Sequence, residues 1–70
     1  MTEIIFHVSE AAEGGYTARA VGQSIFAEAD SMDELRQMVR DAVLCHFETE
    51  EMPKLIRLIF TKEELFALAA

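Results

Sequence analysis

Two glycines ahead of an aromatic, followed further on by a Ser-x-x-Glu helix cap, limit the possible folds of this chain more than any other feature. Glu13-Gly14-Gly15-Tyr16-Thr17-Ala18 reads as the tight turn of a β-hairpin whose second strand starts at Tyr16. Glycine takes the positive φ that such turns need without a Cβ clash. Asp30-Ser31-Met32-Asp33-Glu34-Leu35 reads as a helix start. Ser31 can accept from the Glu34 N–H while the Glu34 carboxylate reaches back to the Ser31 N–H, and Asp33 places negative charge at the positive end of the helix dipole.

The rest of the chain fits around these two marks. From Glu3 to Ser9 the period is two, with Ile4, Phe6 and Val8 on one side and Glu3, Ile5, His7 and Ser9 on the other. Tyr16 to Val21 returns as a second strand, Gly22-Gln23 marks a turn, and Ser24 to Glu28 forms a short third strand around Ile25-Phe26. Leu35, Val39, Ala42 and His46, flanked by Met32, Met38 and Val43, give a helical stripe to about Phe47. The acidic run Glu48 to Glu51 and Pro53 stop it. Leu55 to Phe60, apolar except for Arg57, predicts an interior strand buried on both faces and free to lie parallel to the first. Thr61-Lys62-Glu63-Glu64 offers a second capping box for a short helical tail carrying Leu65, Phe66 and Leu68. The expected fold is α+β, in the order β-β-β-α-β. A mostly antiparallel open sheet packs on one helix, as one domain over residues 1–70.

Size and charge narrow the function. A 70-residue chain buries about 60% of the surface its unfolded form exposes. Domains this short usually depend on disulfides, a metal or oligomerisation. Cys45 is the only cysteine, and His7, Cys45 and His46 do not make a metal set. Oligomerisation remains, so a homo-oligomer, a dimer or tetramer, is expected. Thirteen acidic against six basic residues argue against independent nucleic-acid binding and suit a partner with a basic surface. No apolar run is long enough to span a membrane, and the N-terminus shows no basic-then-apolar signal pattern, so a cytoplasmic location is expected.

The acidic turn into Gly14-Gly15-Tyr16-Thr17-Ala18, the Asp30–Leu35 helix start and the apolar positions through Phe47 together resemble the N-terminal domain of HicB-family antitoxins. The likeness covers about half of the chain, and Leu55–Phe60 matches the family's final strand. It implies a partial RNase H-like fold and a role in binding and blocking a small HicA-like toxin that cleaves RNA. Two features depart from the family. Ala20-Val21-Gly22-Gln23 stands where members usually carry a Pro-Asp-Leu-Pro-Gly-Cys-like loop. The sequence also ends before the C-terminal DNA-binding domain that many members have, so direct autorepression is not expected.

Chemistry by this chain is not expected, and neither is a cofactor. RNase H folds hold divalent metals with clustered carboxylates, but the first strand has no central carboxylate and no Gly-rich phosphate loop occurs. Cys45 and His46 are helical neighbours about 100° apart and do not share a face. His46 falls on the apolar stripe near the helix C-terminus, as a partly buried core imidazole. His7 reads as an exposed strand residue, and Leu44 as a lone exposed leucine near Phe47.

Two surfaces remain for partners. One helix shields one sheet face, taking Ile4, Phe6, Val8, Ile56, Leu58 and Phe60. Ile5, Phe26, Leu55 and Ile59 are then left on the other face, to be covered by a neighbouring subunit or by Leu65, Phe66 and Leu68 folding back. For a basic toxin, Glu48, Glu50 and Glu51 past the helix and Glu10 and Glu13 at the hairpin turn are the candidate contacts. An accessory homo-oligomer without a toxin, or a small accessory subunit of an enzyme, would use the same fold.

Overall fold

The computed structural model describes residues 2–62 and 64–69. Four strands, β1 (Glu3–Glu10), β2 (Tyr16–Ala20), β3 (Phe26–Ala29) and β4 (Leu55–Phe60), form one sheet in the spatial order β3-β2-β1-β4. The helix α1 (Met32–His46) joins β3 to β4, with a single 3-10 turn at Thr49–Glu51 before the last strand. The fold is the expected α+β arrangement in the order β-β-β-α-β. β1-β2 and β2-β3 pair antiparallel, whereas β1 and β4 run parallel, with Ile4 beside Ile56, Phe6 beside Leu58 and Val8 beside Phe60.

Local chemistry explains each junction. Gly14 and Gly15 turn the first hairpin at φ of 98° and 83°. Gly15 is doubly constrained, because a Cβ there would stand 2.9 Å from the Ala29 carbonyl oxygen. The first turn of α1 is capped by Ser31, whose hydroxyl accepts from the Glu34 N–H at 3.2 Å. Among the described residues the reciprocal bond from the Glu34 carboxylate does not form, and Asp33 pairs instead with Arg36.

Ile4, Phe6 and Val8 of β1 form the centre of the core, closed by Leu35, Val39 and Val43 of α1. On β2 and β3 the same face carries Ala18, Ala20 and Ala27, all buried. These small side chains let α1 come down on β2 and β3, where its sheet contacts concentrate. Large residues on β1 fill the widening space beyond. The helix stops short of β4. Met38 and His46, expected on the apolar stripe, are exposed; the buried line is instead Leu35, Val39 and Val43. His46 meets Gln23 through Nε2···Oε1 at 3.3 Å and packs edge-on to the Phe47 ring.

Two further expectations are corrected. β4 is an edge strand rather than an interior one, because among the described residues β1 is its only neighbour and no strand or helix lies beyond it. Its side chains are consequently uncovered, with Leu55 63% and Phe60 58% exposed. The tail after Phe60 is also not helical among the described residues, and the proposed second cap includes Glu63, which lies outside them. Nine residues docked on nothing cannot repay helix nucleation. Leu65, Phe66 and Leu68 are 98%, 79% and 99% exposed and do not fold back over the sheet. A compact chain of this length would have a radius of gyration of about 11 Å; the observed 14.4 Å reflects this departing tail.

Candidate functional site

The hairpin turn and the helix start, far apart in sequence, meet at one end of the sheet. Tyr16 opens β2 opposite Ala29, the last residue of β3, so the chain that enters α1 passes directly beside the glycine turn. Between them lies a cleft of about 560 Å³ lined by Ala11, Gly14, Tyr16, Glu28, Asp30 and Glu34, with Met38 further along α1. Three acidic residues thus line one cleft with a half-buried tyrosine and an exposed methionine. A cleft lined by acidic and apolar residues together suits a cationic protein surface.

The acidic residues singled out in the sequence do not form one surface. Glu10 and Glu13 lie at this same end, beside the cleft-lining Ala11 and Gly14. Glu48, Glu50 and Glu51 lie at the opposite end, around the 3-10 turn that follows the C-terminus of α1. Sequence reading missed Glu28, Asp30 and Glu34 as companions of Glu10 and Glu13. The signal that could have found them is strand length: a short β3 after a tight turn returns the chain to the level of Tyr16.

The sheet face away from α1 is a second surface. Register places Phe26, Arg19, His7 and Ile59 in one row across all four strands, and Ile5 beside Arg57 in the next. Ile5, Leu55 and Ile59 gather near the β4 edge, but Phe26 sits at the far edge with the Arg19 guanidinium 5.2 Å from its ring centre. The four apolar residues therefore share a face without forming one patch. Leu65 and Phe66 stand apart on the tail. Arg57 interrupts the group near β4, held by Glu3 through Nε and Oε2 at 2.5 Å. That hydrogen bond, and next the carboxylate's charge, raise the Arg57 pKa above its ordinary value. Val21, half exposed and bonded through its N–H to the Ile5 carbonyl at 2.8 Å, belongs to the same face and was not singled out in sequence.

Among the described residues no group of three or more His, Cys, Asp or Glu is placed to hold a metal ion. Cys45 is exposed, as are His7 and Leu44. No helix among the described residues is long and apolar enough to cross a membrane.

No family model and no solved structure matches the chain. Two curated proteins do. A UPF0150 protein of Archaeoglobus fulgidus is 60% identical over 52 residues, covering 74% of this chain and 77% of the relative. A UPF0150 protein of Thermotoga maritima is 39% identical over 66 residues, covering 94% of this chain and 93% of the relative. At that identity and coverage, the chain belongs to the UPF0150 family.

Proposed function

We propose that this protein is a HicB-like antitoxin, a non-catalytic cytoplasmic binder that neutralises a small, basic, HicA-like RNA-cleaving toxin by covering its active surface. The observation that carries this reading is the cleft lined by Glu28, Asp30, Glu34 and Tyr16, with Glu10 and Glu13 on the same end of the sheet. A basic nuclease needs exposed cations to hold phosphates. Carboxylates presented at this cleft compete for those cations, while Tyr16 and Met38 supply apolar contact. A net charge of -7 steers the two proteins together. Glu48, Glu50 and Glu51, at the other end, are the lesser candidates.

The test is co-expression with the product of the adjacent reading frame. A small basic neighbour should arrest growth alone and become harmless with this chain. The triple variant Glu28→Gln, Asp30→Asn, Glu34→Gln should lose most of the protection while remaining folded. A neighbour that is not toxic, or whose toxicity this chain leaves unrelieved, removes the antitoxin reading. The uncovered β4 favours a second reading, an accessory homo-oligomer with no toxin.

A further inference from the structure

We infer that β4 is the seam of a homodimer, in which two copies pair their β4 strands antiparallel about Leu58 and each tail crosses onto its partner. This surface is separate from the acidic cleft and does not depend on the antitoxin reading.

Backbone geometry comes first. The N–H groups of Leu55 and Thr61 donate to Thr2 and Val8, so the odd-numbered residues of this segment hydrogen-bond inward to β1. Ile56, Leu58 and Phe60 therefore point their N–H and C=O groups at the free edge. An exposed edge strand with five apolar residues in six has no proline, and its one charge, Arg57, is paired to Glu3 of the same chain, so little on it prevents pairing. Antiparallel pairing must set outward residues against outward residues, which leaves two registers of comparable length. One centres on Arg57 and opposes two arginines; like charges directly opposite are destabilising. The other centres on Leu58. It sets Ile56 against Phe60 of the second copy and Arg57 against Ile59, and it keeps both α1 helices on one face of an eight-stranded sheet.

The tail supports the same register independently. Between α1 and β4 lies a groove of about 350 Å³ lined by Arg36, Val39, Arg40, Lys54, Ile56 and Leu58. Three of the chain's six Lys and Arg residues border this one groove, in a protein with more than twice as many acids. The groove lies toward the start of β4, whereas the chain's own tail leaves from its end. Thr61-Lys62-Glu63-Glu64 contains no Gly, Pro, Asn or Asp to reverse it. In the Leu58 register, however, Thr61 of each copy stands opposite Leu55 of the other, at the mouth of the second copy's groove. Continuing the ladder would set Lys62 against Lys54, so the chain leaves it there. Glu64 then meets the basic rim and Leu65, Phe66 and Leu68 cover Ile56 and Leu58. The residues after Thr61 are mostly good helix formers, and docking supplies what an isolated tail lacks.

Light scattering on the full chain across a wide concentration range should show a dimer. Phe66→Asp changes a side chain that is already exposed, so the fold should survive while the dimer weakens about tenfold or more, as for a buried interface anchor. Glu64→Lys should weaken it less, and Lys54→Glu in the same chain should restore it. For the register, in a Cys45→Ser background, mixing Arg57→Cys with Ile59→Cys should give a covalent heterodimer on oxidation, with neither variant cross-linking to itself. A monomer throughout, a dimer indifferent to F66D, or self-cross-linking of R57C overturns the proposal. A monomeric F66D chain that still neutralises the toxin supports this seam and keeps the antitoxin reading, whereas a wild-type dimer without neutralisation supports the seam alone.

Discussion

The two halves of the sheet are built to opposite rules. Under α1, β2 and β3 present alanines, and Ala18, Ala20 and Ala27 are sealed with Ile4, Phe6 and Val8 of β1. Beyond β1, β4 presents Leu, Ile and Phe on both faces and seals almost none of them. On the two sides of β1, then, bulky residues stand on the strand without cover and small ones on the strands beneath α1. The size of a side chain in this protein reports the distance to the next layer, while its hydrophobicity alone does not reveal whether a layer is present. The uncovered half is where association would recover buried area.

Truncation on the two sides should break the comparison most visibly if it is mistaken. Phe6→Ala, at a fully buried position, should cost about 3–5 kcal/mol in urea unfolding. Phe60→Ala should cost under about 1 kcal/mol at concentrations where the chain is monomeric, since most of that ring is already in water. Comparable losses would mean that β4 is covered within one chain. Enlarging a side chain probes the sealed half from the other direction. Ala18→Leu should lift α1 and cost about 1–3 kcal/mol, read from the same unfolding midpoint. A small effect belongs to the helix start. Ser31→Ala should cost about 1 kcal/mol through the lost cap on Glu34.

The local marks were legible in sequence and the global placement was only partly so. Gly14, Gly15 and Ser31 act through their immediate neighbours, so turn and cap chemistry could be read directly. The alternation of Ile4, Phe6 and Val8 named the centre of the core for the same reason. β4 was misjudged as interior because a continuous apolar strand looks the same whether two layers cover it or none. The acidic cleft could be found only in part, since Glu28, Asp30 and Glu34 join Glu10 and Glu13 through strand register rather than through any local pattern. The tail failed as a helix because propensity without a docking surface is insufficient at that length.

The parallel pairing of β1 with β4 also sets the order in which the sheet is assembled. β1, β2 and β3 are joined by short turns, so their contacts close small loops. The Glu3–Leu55 pair, by contrast, closes a loop that includes the helix and nearly every other contact in the chain. Loop closure must be met before such a contact returns any stabilisation, so distant pairings form late. The outer edge of β1 therefore stays open until β4 arrives. In a chain being synthesised, β4 is also the last of the four strands to emerge, and the strand that completes the sheet is the one that leaves it with a new open edge.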